Sequence, residues 1–309
     1  MKVAILDCGT NTFNLLIAEV ELSRWAIVHA QKFGVKLQEG GFHQGDIREE
    51  PFNRGQNAIA EVAKIIHEHA VDQTIATATS ALREAKNGKA FIAKAKADHG
   101  ITIELIDGNR EAELIWKGVR QSIHLDEAYL VMDIGGGSTE FIIGKGDQIL
   151  WKKSYKLGVS RLFERLLPQD PMRPDDVSVL RELLEDELKD LRMALNEFPC
   201  TTLVGSSGSF DSIVDIITYR WGRAGELDKS TEILMNHFTV LYQEMLTSTK
   251  AERLQIKGLK PMRADFMVIS MILIDFVVNQ FGLNNLHRSA YALKEGQIAE
   301  LQGSLKIVE

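Results

Sequence analysis

Two segments of this chain repeat one pattern, and that repeat limits the folds open to it. LDCGTNTFNLLIAEV begins at Leu6, and MDIGGGSTEFIIG begins at Met132. Each runs from an apolar strand, through an aspartate and a turn rich in Gly, Thr or Ser, into a second apolar strand. The pattern predicts two β-hairpins of the same design.

The aligned copies indicate a phosphate-binding device in two halves. At a constant offset the alignment pairs Asp7 with Asp133, Gly9 with Gly135, and Thr12 with Ser138. Glycines let successive backbone N–H groups approach an anion, and the hydroxyls add donors. An aspartate beside each turn would repel a phosphate unless a cation lay between them, so the pair also indicates Mg²⁺. Two purely structural hairpins with solvated aspartates are the alternative.

Length and composition are those of a two-domain globular protein. The chain has 309 residues, of which 45% are hydrophobic and 26% charged, and it exceeds what one core usually serves. The formal charge of −7 argues against a face for duplex nucleic acid, because such binding needs many Lys and Arg. The two cysteines, Cys8 and Cys200, show neither a CxxC spacing nor a zinc-site pattern, which suits a reducing cytosol.

The termini and the apolar segments predict a cytoplasmic protein without a membrane span. Met1 opens directly into a predicted strand, with no signal-peptide pattern after it. The longest apolar stretch, Phe266 to Phe281, is too short for a span and contains Asp275, so a buried helix is expected.

Strands followed by helices, twice over, predict two α/β domains with a cleft between them. The expected domains are residues 1–123, joined by 294–309, and residues 124–293. Helices are expected over Asn57–Ala70 and over Pro174–Phe198, from apolar residues at helical spacing. The segment GSSGSFDS, which joins a strand to a helix, is a third candidate anion site or only a connection.

Three charged residues are candidates for chemistry at the phosphates. Glu111 lies in the first turn of a predicted helix and is placed to orient or deprotonate a water, although a helix dipole alone also favours a carboxylate there. Glu140 follows the second turn and could hold metal-bound water. Arg83 could bind phosphate with two parallel hydrogen bonds, or be an ordinary surface arginine.

At these residues the chain resembles the exopolyphosphatase and guanosine-pentaphosphate phosphohydrolase (Ppx/GppA) family, in its short two-domain form, of the actin, hexokinase and Hsp70 superfamily. The matching segments span almost the whole chain: DCGTNTFNLLIAEV, ATSALREAKN, IDGNREAELIWKGV, MDIGGGSTEFIIG, KLGVSRLFER, VGSSGS, RAD at Arg263 to Asp265, and ALKEGQIAEL.

The resemblance implies a ribonuclease-H-like (actin-like ATPase) fold in each domain, an active site in the interdomain cleft, and Mg²⁺-dependent release of terminal orthophosphate. It implies Glu111 as the catalytic glutamate. From the residues themselves, Mg²⁺ is expected between Asp7, Asp133 or Glu140 and the phosphate oxygens, with Glu140 as the second candidate for catalysis. The implied phosphate-binding residues are Gly9, Thr10, Asn11, Thr12, Arg83, Gly135, Gly136, Gly137, Ser138, Ser207, Gly208 and Ser209. A homodimer is expected from the resemblance alone.

Inorganic polyphosphate is the expected substrate, with guanosine pentaphosphate as the alternative, since both end in a phosphoanhydride. A small-molecule kinase or a non-catalytic sensor of polyphosphate or an alarmone remains open. Two departures stand out, because Lys36 and Ser270 occupy positions where the family often has arginine and glycine. Longer members carry an extra C-terminal helical domain, so processive handling of long polyphosphate is not expected here.

Overall fold

The computed structural model describes residues 1–41, 45–222 and 229–308 of the chain. It divides into two compact units. The first unit contains Met1–Gly118 and Leu293–Glu309, and the second contains Val119–Ala292. Each unit is built around its own sheet and its own apolar core.

The sheet of the first unit combines a meander with two parallel strands. Its strands are β1 (Lys2–Cys8), β2 (Thr12–Val20), β3 (Trp25–Gly34), β4 (Gln73–Ala78) and β5 (Ile103–Leu105). They lie in the order β3-β2-β1-β4-β5, with β1, β2 and β3 antiparallel and β1, β4 and β5 parallel.

Helices cover both faces of this sheet, which explains why its central strands are mostly apolar. The helices are α1 (Glu49–Glu68), α2 (Ser80–Glu84), α3 (Gly88–His99), α4 (Gly108–Val119) and α12 (Leu293–Val308). Alternate residues of β1 point to opposite faces. Ala4 and Leu6 pack in the core that contains α1 and α3, whereas Val3 and Ile5 pack with Ile298 of α12.

The sheet of the second unit repeats the same plan. It contains β6 (Tyr129–Ile134), β7 (Thr139–Lys145), β8 (Gln148–Tyr155), β9 (Thr202–Ser206), β10 (Ser230–Glu232) and β11 (Asn285–Ser289). Their order β8-β7-β6-β9-β11 matches β3-β2-β1-β4-β5, with the antiparallel β10 added beyond β11. The expected fold class, two α/β domains of ribonuclease-H-like type, is confirmed.

The helices of the second unit enclose a large apolar core. They are α5 (Val159–Leu166), α6 (Pro174–Glu187), α7 (Lys189–Glu197), α8 (Ser207–Trp221), α9 (Met235–Thr247), α10 (Lys250–Arg253) and α11 (Met267–Phe281). Every residue of α11 from Met267 to Val278 is buried, so the apolar run is the central core helix that the sequence predicted. Within the part of the chain that the structure describes, no helix has the length and apolarity needed to cross a bilayer.

Two sequence-based helix limits were wrong. The helix expected over Asn57–Ala70 begins at Glu49, where the acidic first turn and Pro51 suit a helix start. The single helix expected over Pro174–Phe198 is two helices that meet at Leu188. Leu188 is 2% exposed, so burial of this side chain accompanies the break.

Candidate active site

The two hairpins have the same register, and it places a polar pair at the base of each turn. Asp7 lies opposite Asn14 in the first hairpin, and Asp133 lies opposite Glu140 in the second. Residues directly opposite in an antiparallel pair share one face of the sheet. Each aspartate therefore has a polar neighbour on its own face, and in the second hairpin that neighbour is a carboxylate.

The turns that follow the aspartates are closed in the same way. Gly9 N donates to Thr12 O at 3.1 Å, and Gly135 N donates to Ser138 O at 3.0 Å. A Cβ on either glycine would lie 3.0 Å from the same acceptor oxygen, which is tighter than an ordinary contact. Glycine is needed at both positions because the backbone folds back this closely.

Neighbouring backbone holds the carbonyl groups of the first turn. Asn11 O accepts hydrogen bonds from Val35 N and Lys36 N at 2.9 and 3.1 Å, and Thr10 O accepts from Leu37 N at 2.8 Å. A trans peptide directs its N–H opposite to its C=O. The N–H groups of Asn11 and Thr12 therefore point away from residues 35–37, where an anion can meet them.

The second turn is held by the start of α5 in the corresponding way. Three hydrogen bonds do this: Val159 N to Gly135 O at 3.0 Å, Ser160 N to Gly136 O at 3.0 Å, and Arg161 Nε to Gly137 O at 2.8 Å. Because three successive carbonyls face α5, the N–H groups of Gly136, Gly137 and Ser138 face the other side. Consecutive N–H groups with one direction are a typical anion-binding arrangement.

Both aspartates accept hydrogen bonds from neighbouring side chains. Asn14 Nδ2 donates to Asp7 Oδ2 at 2.9 Å. Ser206 Oγ donates to Asp133 Oδ2 at 2.6 Å, and Ser207 Oγ lies 2.8 and 2.7 Å from the two Asp133 oxygens. Ser207 has a φ of 67°, a left-handed conformation that is costly for a residue with a side chain. This strained serine connects Asp133 to the start of α8.

Glu140 is almost completely buried, at 1% exposure, and its Oε1 accepts from Ser154 Oγ at 2.7 Å. Asp133 on the same face is 6% exposed. Two neighbouring buried carboxylates are costly unless a cation or a proton lies with them. Among residues 1–41, 45–222 and 229–308, no group of three or more Asp, Glu, His or Cys side chains is arranged to hold a metal ion by itself. Mg²⁺ commonly uses only one or two carboxylates, with water and substrate phosphate completing its shell.

Arg83 and Glu111 form an ion pair in the first unit. Arg83 Nη1 donates to Glu111 Oε2 and to Ile106 O, each at 3.0 Å. Glu111 is 7% exposed. Glu111 N also donates to Asp107 O at 2.9 Å, so the carboxylate projects from a well-anchored first turn of α4. The structure thus brings together two residues that the sequence identified separately.

The third Gly/Ser turn has a partner that sequence reasoning did not assign to a site. A Cβ at Gly208 would lie 1.4 Å from Arg263 Nη2, so the guanidinium lies directly against this glycine. Burial lowers the pKa of Arg263, although Asp211 and Asp215 act in the opposite direction. The RAD segment was the available signal, but nothing in it indicates which turn the arginine contacts.

Gly208→Ala is expected to lower the free energy of unfolding by about 1–3 kcal/mol, because the buried Arg263 guanidinium would have to move away from the added methyl group. Chemical denaturation followed by circular dichroism would measure this. Gly303→Ala is the matched control, since that helical glycine has open space around its Cβ and alanine favours helix there. Equal stability of the Gly208 variant and the wild type would contradict the close contact.

The two departures from the family pattern have identifiable contacts. Ser270 Oγ lies 2.9 Å from Ser209 Oγ, so the hydroxyl at this position binds the third turn directly. Lys36 has a φ of 42°, and its Nζ lies 3.9 Å from Glu39 Oε1, beyond ordinary hydrogen-bond length. Lys36 N donates to Asn11 O, and this backbone contact does not depend on whether residue 36 is lysine or arginine.

Residues 16–305 match the model of the Ppx/GppA phosphatase family, which is almost the whole chain. The chain belongs to this family. The second turn, the third turn and the Arg83–Glu111 pair all lie within the matched residues. A crystal structure of an exopolyphosphatase from Cytophaga hutchinsonii superimposes with a TM-score of 0.96 at 37% identity, covering 98% of each chain.

Curated relatives in the Ppx/GppA family carry two different activity names. Exopolyphosphatase 2 of Mycobacterium tuberculosis is 27% identical over 98% of this chain and 99% of its own length. A guanosine-5'-triphosphate,3'-diphosphate pyrophosphatase of Photobacterium profundum is 24% identical over 98% of this chain, which spans 60% of that longer protein.

Proposed function

We propose that this protein is an exopolyphosphatase that hydrolyses the terminal phosphoanhydride of inorganic polyphosphate and releases orthophosphate. The observation that carries the proposal is the buried Glu111 carboxylate paired with Arg83 at the start of α4. A base or water-orienting group beside a phosphate-binding cation is what hydrolytic phosphoryl transfer needs. Relatives of comparable length named exopolyphosphatase support this substrate.

In this proposal the phosphate chain is bound by backbone N–H groups and hydroxyls. The donors are those of residues 10–12, residues 136–138 and residues 207–209, while Gly9 and Gly135 close the first two turns. Their directions suit the purpose, since the carbonyl groups of the first two turns are hydrogen-bonded on the other side. Arg83 adds a cation for a phosphate oxygen. Preorganised donors of this kind stabilise the negative charge of the transition state without reorganising during the reaction.

Glu111 orients or deprotonates the attacking water, in line with the bond to the leaving phosphate chain. The ion pair with Arg83 holds this carboxylate in one direction, with its Oε2 3.0 Å from Arg83 Nη1. Glu140 is the second candidate for this role. Its burial at 1% exposure and its hydrogen bond from Ser154 suit a fixed ligand better than a mobile base.

We also propose a Mg²⁺ requirement, with Asp7, Asp133 and Glu140 as the protein ligands. The register that puts Asp133 opposite Glu140 on one face fits a cation, since the two buried carboxylates otherwise repel. Bound Mg²⁺ would neutralise phosphate charge and polarise the phosphoryl oxygens. A cytoplasmic location and a homodimer are further parts of the proposal. The free cysteines Cys8 and Cys200 suit such a reducing compartment.

Guanosine pentaphosphate is the second candidate substrate, because one curated relative is named a guanosine-5'-triphosphate,3'-diphosphate pyrophosphatase and the same proposed phosphate-binding turns would serve that substrate. A kinase would require an acceptor site. A non-catalytic sensor would gain little from carboxylates such as Glu111 beside phosphates.

The test is orthophosphate release from short polyphosphate, long polyphosphate and guanosine pentaphosphate, each with Mg²⁺ and with excess chelator. We expect release from polyphosphate that the chelator abolishes and that added Mg²⁺ restores. Faster release from guanosine pentaphosphate than from polyphosphate would make guanosine pentaphosphate the preferred substrate and overturn the assignment to polyphosphate. Tight binding of all three without release would overturn the hydrolase and favour the sensor.

A further inference from the structure

The C-terminal helix α12 packs against α4, the helix that carries Glu111. Gly296 makes a very close approach, since a Cβ there would lie 1.8 Å from Leu114 O and 3.1 Å from Gly118 N. Only a residue without a side chain lets two helix backbones come this near. The contact fixes where the next turn of α12 meets α4.

One turn after Gly296, Glu300 bridges two turns of α4. Glu300 Oε1 accepts from Arg110 Nη2 at 2.5 Å, and Glu300 Oε2 accepts from Lys117 Nζ at 2.7 Å. Arg110, Leu114 and Lys117 follow the i, i+4, i+7 spacing that lines up along one helix face. The Glu300 carboxylate therefore binds Arg110 and Lys117 at the two ends of this helix face, and Gly296 lies against Leu114 between them.

Arg110 directly precedes Glu111, so this anchor acts on the turn that carries the proposed base. Asp107 Oδ1 accepts from Arg110 N at 2.8 Å and fixes the backbone there. Successive helical residues point about 100° apart. Arg110 thus faces α12 while Glu111 faces Arg83, and each side chain is held by its own partner.

The bridge is electrostatic, and water reaches it. Burial raises the pKa of Glu300, but hydrogen bonds and charges from Arg110 and Lys117 outweigh burial and lower the pKa overall. Arg110 and Glu300 side chains are each 35% exposed and line a cavity of about 190 Å³. Ion pairs this exposed typically contribute little to stability. The precise geometry of the bridge points to orientation rather than to stability.

We infer that Glu300 is a positioning residue for Glu111: by holding Arg110 and Lys117 it fixes the first turn of α4 and the direction of the Glu111 carboxylate. This inference rests on the proposed function, in which Glu111 acts on the attacking water. Catalytic geometry is sensitive enough for such a role, since a misplacement of about 1 Å can cost roughly 10²-fold in rate.

The experiment compares Glu300→Ala, Glu300→Gln, Arg110→Gln and the double variant Arg110→Gln/Glu300→Gln with the wild type. Asp98→Asn is the matched control, because it removes an exposed ion pair with Lys94 in the same unit. Orthophosphate release gives kcat and KM separately, and thermal unfolding shows that each variant folds. Glutamine keeps an acceptor for Arg110 and nearly the shape of glutamate, so it is also the variant of choice if alanine impairs folding.

We expect Glu300→Ala to lower kcat about 10-fold with little change in KM, and Glu300→Gln to recover part of the loss. The double variant should lose no more than the worse single variant, because both act through one bridge. An active wild type whose Glu300 variants keep kcat, or lose only in KM, would overturn the positioning role alone. A wild type without release from any substrate would overturn the proposed function and this inference together.

Discussion

Glu111→Gln is expected to lower kcat for orthophosphate release about 10³-fold while KM stays within about threefold of the wild type. Glutamine keeps the shape of the side chain, and its oxygen still accepts from Arg83, so the first turn of α4 should remain in place. The amide cannot accept the proton of the attacking water. The substitution therefore removes the proton acceptor and keeps the contact between residue 111 and Arg83.

Steady-state orthophosphate release with Mg²⁺ and polyphosphate measures this loss. Glu68→Gln is the matched control, since Glu68 lies in the same unit with its side chain 57% exposed, pairs with the exposed Lys64, and should have almost no effect on kcat. Glu140→Gln should be measured beside them. Retention of kcat by Glu111→Gln would overturn the role of Glu111 as the base, whereas loss in Glu140→Gln alone would fit its role as a metal ligand.

Gly158→Ala is expected to lower kcat/KM by roughly 10²-fold and the free energy of unfolding by about 1–3 kcal/mol. An added Cβ would lie 2.3 Å from the carbonyl carbon of Gly137 and 2.4 Å from that of Gly136. Both neighbours are backbone, so no side-chain rotation relieves the overlap. The start of α5 has to retreat and release the carbonyls that it holds, and the turn then loses the common direction of its N–H groups.

Orthophosphate release and chemical denaturation of the same preparation separate the two effects of this substitution. Gly303→Ala is again the matched control, because nothing lies within 4 Å of its Cβ position. We expect that control to behave as the wild type. A Gly158 variant with unchanged kcat/KM would mean that the second turn does not need α5 to present its N–H groups.

The repeated hairpins were predictable because their determinants are local. An apolar strand, a glycine turn and a second apolar strand define a hairpin within about fifteen residues, and the alternation of side chains defines which residues share a face. Alignment of the copies therefore anticipated that Asp7 corresponds to Asp133. The α11 helix was equally clear, since a run of apolar residues too short for a membrane has to be buried.

Helix ends were predicted less well where local signals compete. Asparagine is a typical residue at a helix start and Asn87 directly precedes α3, yet its side chain does not cap that helix. Asn87 Oδ1 accepts from Ile47 N at 2.9 Å, and its Nδ2 donates to Ile47 O at 2.8 Å. A tertiary contact with a residue 40 positions away thus replaces the local cap.

The sequence by itself determined the two-hairpin plan, the α/β class and the residue types at the three Gly/Ser/Thr turns. Only the tertiary structure decided which distant side chains contact these turns and helices. Arg83 pairs with Glu111, Ser206 donates to Asp133, and Arg263 lies against Gly208. Glu300 binds Arg110, which directly precedes Glu111. The physical reason is the sequence separation between the residues that interact. A turn or a register depends on neighbours in sequence, whereas an ion pair or a backbone contact forms only when sheet order and helix packing bring distant segments together.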